Sequence, residues 1–344
     1  MERSEEPLRG TKRANPSDSS GPTSGDSGAG LGRPHSGGQG SAASGRRDAS
    51  GTAGSADLEY PAEVLSGAGH SPLYHAQHEL RYIRQALIAQ YEDELDCRLI
   101  VFNDFILPYS VTLGEELLHE ANPTQDLHLL LNTPGGDGEV AVRFVRSMQS
   151  RCRKLTVIVP DVAKSAGTLL ALGAHTILMG PASDLGPVDP QLQLKPGQLV
   201  SAKDIIASVE DAARRVQELP QTYPIYASLL ADITAITVQQ ARSALARTSD
   251  QLMDALKSNP DRSDAEAEQL RQSLQEALVD SRSTHAAIFG ASDAATAGLP
   301  IVNADMSSTQ WKLIWRLWTC YFAYAHRVYE SRRTSQVLGP WPSS

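Results

Sequence analysis

Apolar residues recur every three or four positions between Leu73 and Leu95, at Leu80, Ile83, Leu87, Ile88 and Tyr91, and this spacing predicts a helix. The period then changes. "RLIVFNDFI" is an apolar run of strand length, and "SVTLGEELLHEA" returns to helical spacing behind Ser110 or Thr112 as the opening residue. "LHLLLNT" predicts a second strand, "GEVAVRFVRSMQSRC" a second amphipathic helix, "LTVIVP" a third strand and "TILMG" a fourth, with a helix after Ser165 between the last two. Apolar strands alternating with helices predict an α/β fold, its largely parallel sheet covered on both faces.

After Val200 the chain reads as mainly helical. "AKDIIASVEDAARRVQEL" places Ile205, Val209, Ala212 and Val216 on one face, and a long charged helix is expected over about 262–289, striped by Leu270, Leu274 and Leu278. Near the end, "TQWKLIWRLWTCYFAYAHRVYESRR" sets Trp311, Trp315, Trp318 and Phe322 at helical spacing. Packing into a core or against another subunit is the favoured reading of this aromatic helix. Peripheral membrane contact is the other, because Trp and Arg on an amphipathic helix suit a lipid interface.

Composition changes the picture at the N-terminus. Residues 1–57 hold no aromatic, Ile or Val and run through Ser, Gly and Ala, so they bury too little apolar surface to offset ordering and read as a disordered tail. The remainder divides into a helical segment over 58–97, a main domain over 98–302 and an aromatic-rich helix and tail over 303–344. With 41% hydrophobic residues in 344, the chain can bury a sizeable core, and its net charge of −9 speaks against non-specific nucleic-acid binding. Neither a signal peptide nor an apolar run of roughly 18 residues is visible, so a cytoplasmic location without a transmembrane segment is expected. Cys97, Cys152 and Cys320 are scattered without metal-ligand spacing and read as reduced packing residues.

Two turns carry candidate chemistry. "NTPGGDGEV" joins a strand to a helix, where glycines let backbone N–H groups approach a phosphate or a developing oxyanion. Gly136-Asp137-Gly138-Glu139-Val140-Ala141 fits a dinucleotide fingerprint, with Asp161 near the place of the ribose-binding acid, although nothing later suggests hydride chemistry. The second turn, "DVAKSAGTLLALGA", puts Ser165 before an apolar helix. Taken alone, Ser165 reads first as an N-cap. Taken with the glycine turn, it reads as a nucleophile beside oxyanion donors.

"LLLNTPGG", "VAKSAGTLLALGAHTILMGPASDLGPVDPQ" and "GASDAATAGLPIV", in that order, resemble the Clp protease / signal peptide peptidase A superfamily, most closely its serine dehydrogenase proteinase branch. The resemblance covers about residues 98–302. It implies a crotonase-like spiral of ββα units, assembly into homo-oligomeric rings or stacks, and serine peptidase chemistry on a peptide or protein substrate, with no metal or organic cofactor. By position, Ser165 matches the nucleophile, and Gly136, Gly135 and Ala166 the oxyanion donors.

The resemblance leaves the general base open. The position of the Clp histidine falls at Val188-Asp189. Signal-peptide-peptidase-like members use a lysine at the start of a later helix, and Lys203 lies 38 residues after Ser165 in "LVSAKDII". Ser201 and Asp204 fit a capping box that sets Lys203 in the first turn, where the helix dipole and burial favour the neutral amine a base requires. Lys164, next to Ser165, ranks below it, and His175 reads as a packing residue at the other end of the sheet. For the branch resembled, a Ser–Asp–His set is also implied, with Asp189 as an accessory acid and no histidine identified. The resulting expectation is a serine peptidase with a Ser165–Lys203 dyad. An acyl-CoA enzyme or acyl hydrolase on the same fold, and an inactive scaffold, are the alternatives.

Overall fold

The apolar runs read from the sequence become the middle of a seven-stranded sheet. A computed structural model describes residues 72–119, 121–280 and 288–342. The expected tail 1–57 lies outside the described residues. A first helix, α1 (Pro72–Leu95), leads into β1 (Cys97–Asn103), α2 (Pro108–Leu117), β2 (Asp126–Asn132), α3 (Gly138–Gln149) and β3 (Leu155–Val159). Then come the short β4 (Val162–Ala163), α4 (Ala166–Leu172), β5 (Thr176–Met179) and short β6 (Asp184–Leu185). Strands β1, β2, β3 and β5 are parallel neighbours, and β9 (Ile301–Asn303) continues the parallel set at one edge. The short strands β4 and β6 pair with each other in a second small sheet, and β3, β4 and α4 follow one another as a long strand, a short strand and a helix.

Period-two alternation divides the long strands between two cores. Ile100, Phe102, Leu129, Leu131, Val157 and Val159 face the helices that connect the strands, α2, α3 and α4. Leu99, Val101, Leu130, Ile158 and Leu178 face the opposite layer, made by α1 and by α10 (Thr309–Tyr324). The sheet is thus covered on both sides, as the unbroken apolar runs predict. The cysteines are free.

The C-terminal stretch does more than supply a helix and a tail. It returns as β10 (His326–Ser331), antiparallel to β1, and β11 (Ser335–Pro340), which makes the sheet mixed. "HRVYES" alternates too weakly, beside a long aromatic helix, to stand out as a strand. The four aromatics of α10 also divide: Trp311 and Trp318 are buried, whereas Trp315 is 49% exposed and Phe322 73%. None of the described helices is long and apolar enough to cross a membrane.

A helical region follows the hairpin of β7 (Gln191–Lys195) and β8 (Gln198–Ser201). It contains α5 (Ala202–Glu218), α6 (Tyr223–Leu229), α7 (Ala235–Leu256) and α8 (Asp264–Leu274). The helix expected over about 262–289 therefore begins as α8 and passes into one π-helical stretch, Gln275–Asp280; the part over 281–287 lies outside the described residues. Leu252, Ala255 and Leu256 of α7 enter the same core as α3 and α4. A last short helix, α9 (Ala291–Thr296), precedes β9.

One buried ion pair ties the second layer to the sheet. Arg84 of α1 donates to Glu330 of β10 from Nε (2.7 Å) and from its second terminal nitrogen (3.2 Å), and the Tyr321 hydroxyl donates to the same carboxylate at 2.5 Å. Removing one charge strands the other in the core. Arg84→Met is expected to lower the urea unfolding free energy by about 3–5 kcal/mol. Adding Glu330→Gln, which keeps an acceptor for Tyr321, is expected to restore part of that loss; strictly additive losses in the double variant would show that the pairing is not the cause.

Candidate active site

Both candidate turns lie at the carboxyl ends of parallel strands, and they are fastened to each other. Thr133, just past β2, donates its N–H to Val162 O and accepts from Lys164 N, each at 3.0 Å. Its methyl group fills the space a side chain would need at Gly167, where an added Cβ would come within 2.4 Å of Thr133 Cγ2. The glycine turn fits equally closely. Gly135 (φ +114°) would put a Cβ 3.0 Å from Ser165 Cβ, and Gly136 (φ +145°) would put one 2.0 Å from Ile106 O. Only glycine meets both requirements, a left-handed backbone and close approach.

Ser165 holds the conformation that glycine ordinarily occupies. Its φ of 51° and ψ of −112°, with Gly167 N donating to Lys164 O at 2.7 Å, describe a type II′ turn with serine at the second position. The residue stands at the N-cap position of α4, but its side chain makes no cap hydrogen bond. This resolves the choice between cap and free hydroxyl: Ser165 does not cap. A strained residue at a strand-to-helix turn, its oxygen outside the helix cap, is how a nucleophile elbow presents a serine. Thr168 secures the turn from behind, donating to Ala163 O (2.9 Å) and Gly186 O (2.8 Å).

The expected oxyanion donors separate into two kinds. Gly135 N–H is spent on Thr133 Oγ1 at 3.1 Å. The N–H groups of Gly136 and Ala166 donate to no protein acceptor among the described residues, and both residues line the same pocket as Ser165, about 490 Å³ in volume. The pocket wall is mostly apolar, with Phe105, Leu169, Val188 and Leu199, and α7 contributes Ala244, Arg247, Thr248 and Gln251. Sequence reading missed the α7 residues. Their spacing of three and four marks a helix face, but a polar face of that kind signals solvent more often than a site.

The acidic and basic candidates are placed as follows. Asp189 lines the pocket, is 5% exposed, and accepts from Ser201 Oγ at 3.0 Å. Ser201 also caps α5 by accepting from Asp204 N, which is the serine half of the expected capping box, and Lys203 lies in the first turn. Lys203 is not among the pocket-lining residues, and its Nζ donates to Val279 O at 3.1 Å. Lys164 is ion-paired with Asp184, which also accepts from Phe289 N. His175 sits at the start of β5, its Nδ1 accepting from Leu155 N, away from the pocket.

The dinucleotide alternative does not fit this geometry. Asp137 caps α3, its carboxylate accepting from Glu139 N (2.9 Å) and Val140 N (3.3 Å), so a negative charge occupies the place a pyrophosphate would take. Asp161 does not line the pocket.

The family model of the ClpP-like SDH-type serine proteinases matches residues 115–320, which include both turns, α5 and α7. The chain belongs to this family. Two uncharacterized proteins of Methanocaldococcus jannaschii are similar to parts of this proteinase-family chain. MJ0137 is 37% identical over 100 residues, 28% of this chain and 33% of its own; MJ1495 is 35% identical over 82 residues, 23% and 28%. The chain thus spans about a third of the length of these curated relatives. Among solved structures, a serine-to-alanine mutant of the 1510-N membrane-bound stomatin-specific protease is similar over 31% of this chain and 57% of that one (23% identity, TM-score 0.25). A lysine-to-alanine mutant of that protease in complex with a substrate peptide is similar over 32% and 57% (25% identity, TM-score 0.25).

Strain at Ser165 makes a prediction about stability. Ser165→Gly removes the cost of a side chain in this backbone region, whereas Ser165→Ala retains it. The glycine variant is expected to unfold at higher urea concentration than the alanine variant, by about 1 kcal/mol. An alanine variant as stable as the glycine variant would mean that the turn is unstrained.

Proposed function

We propose that this member of the serine proteinase family is a peptidase in which Ser165 is the nucleophile and the N–H groups of Gly136 and Ala166 hold the oxyanion. One observation carries the reading: a serine in a type II′ turn leaves its hydroxyl out of the helix cap and shares a pocket with two backbone donors that have no protein acceptor among the described residues. In this mechanism Ser165 Oγ attacks the scissile carbonyl carbon, and its proton passes to the base. The tetrahedral oxyanion rests on the two N–H groups, where fixed dipoles need no reorganisation. The base then returns the proton to the leaving amine, and water repeats the sequence on the acyl-enzyme.

Lys203 is the base in this proposal. Its place in the first turn of α5 supports the role, because Ser201 of the same turn is bonded to Asp189 in the pocket wall. In this role Lys203 Nζ leaves Val279 O and approaches the Ser165 hydroxyl when substrate binds, as catalytic hydrogen bonds that are long in the free enzyme tighten in the complex. Asp189 then acts as a positioning residue for this turn through Ser201. Gly135 supports the loop, its own N–H being spent. Assembly into a homo-oligomer belongs to the same proposal, and a solution mass of one chain by light scattering would remove it.

A fluorophosphonate probe tests the chemistry directly. The wild type is expected to label and to cleave unstructured peptides, and Ser165→Ala to do neither. Lys203→Ala is expected to slow both by about a hundred- to ten-thousandfold, the usual contribution of a general base. Normal labelling of Lys203→Ala would place the base elsewhere, and an unlabelled wild type would favour an inactive scaffold.

A further inference from the structure

Two charged side chains, Asp189 and Arg247, line the Ser165 pocket among the described residues. Asp189 is nearly buried and holds Ser201. Arg247 is different: its side chain is 55% exposed, and it stands on α7 beside the glycine turn. Arg247 Nε donates to Glu139 Oε1 at 2.5 Å, and Gln251 Nε2, one helical turn further on, donates to the same oxygen at 2.9 Å. Glu139 is the second residue of α3, three positions after Gly136. The hydrogen bond from Arg247, then that from Gln251, holds the Glu139 carboxyl below the usual carboxylate range.

Glu139 therefore anchors Arg247 by one edge. A guanidinium carries five N–H donors in a rigid fork, and the terminal nitrogens of Arg247 make no hydrogen bond to protein among the described residues. Asp250 and Asp254 also lie near this guanidinium, but Asp254 is paired with Arg146. What remains is the outer edge of an ion-paired guanidinium at the rim of an apolar pocket, with two amino groups available for a planar bidentate partner.

Resting on the reading of Ser165 as nucleophile, we infer that Arg247 is a specificity residue that recognises a carboxylate of the peptide substrate next to the scissile bond. The preferred substrate presents an apolar side chain to Leu169, Val188 and Leu199, and an acidic group to Arg247. That group is an acidic side chain or a free C-terminus; both offer the same planar anion.

Three matched fluorogenic peptides separate the sources. One C-terminal amide carries Glu beside the cleaved bond; its neutral counterpart carries Gln there and ends in an amide; the third carries the same Gln and ends in a free acid. The full chain is expected to cleave one acidic form about ten- to a hundredfold better in kcat/KM than its neutral partner, as a charge-assisted hydrogen bond allows. The favoured pair identifies the source, and added salt shrinks the ratio. Arg247→Gln is expected to bring the ratio close to one, and Arg247→Glu to favour a Lys-containing peptide instead. A merely structural Arg247 would slow all three peptides alike and leave the ratios intact. Fluorophosphonate labelling of Ser165 with equal cleavage of acidic and neutral peptides overturns this inference and leaves the nucleophile standing. Failure to label Ser165, with no peptide cleaved, overturns both.

Discussion

The site depends on one contact, the meeting of two strand-to-helix turns at Thr133. This residue pairs its backbone with Val162 and Lys164, presses its methyl group onto Gly167, and binds Gly135 N–H through its hydroxyl. Four separate restraints converge on one side chain and its peptide. Together they hold Gly135 against Ser165 and leave Gly136 and Ala166 in the shared pocket with N–H groups that meet no acceptor among the described residues. A strained serine persists only where its surroundings over-determine it. Here the surroundings are the parallel sheet itself, since β2, β3 and the short β4 deliver both turns to one end. The layer of α1 and α10 backs that sheet from the other side through Arg84 and Glu330, far along the chain from either turn.

Much of this was legible in the sequence. Alternating apolar strands and helices foretold the parallel sheet, because strands buried on both faces leave no polar period. The glycines of "NTPGG" and the small residues after Ser165 announced close backbone approach, which the clashes of any added Cβ bear out. Whether the Ser165 hydroxyl caps α4 was not legible from that residue alone. Residue type and spacing are the same for a capping serine and an exposed one, and only the backbone angles distinguish them. The donor state of Gly135 was hidden for a related reason, as Thr133 Oγ1 competes for its N–H over just two residues. The β10–β11 hairpin escaped notice because its pairing with β1 spans more than two hundred residues, and no local pattern encodes a partner so distant. Arg247, Thr248 and Gln251 escaped because a polar helix face looks the same whether it meets water or a pocket.

The helical region between β8 and β9 gives the pocket its individual character. The two turns supply generic elements: a hydroxyl, two N–H groups and an apolar floor. α7 lays Arg247 and Gln251 over the start of α3, and α5 brings the Ser201–Asp189 bond to the pocket wall. Both helices are attached by side-chain hydrogen bonds to the segments that hold the turns. A shift of α7 would therefore be felt at Glu139, three residues from Gly136, and a shift of α5 at Asp189.

This arrangement also bears on why the lysine and the serine stand apart. Lys203 follows Ser201 by two residues, and Val188 N donates to Leu278 O, one residue from the carbonyl that Lys203 holds. The loop carrying Val188 and Asp189 is thus tied on one side to α5 and on the other to the stretch after α8. Moving the amine toward Ser165 requires it to leave Val279 O, while Ser201 and Asp189 can keep the helix start in place. Substrate in the pocket would exclude water around Ser165 and raise the worth of a hydrogen bond to its hydroxyl relative to one with Val279. Under the proposed dyad, pocket occupancy and base alignment are then coupled.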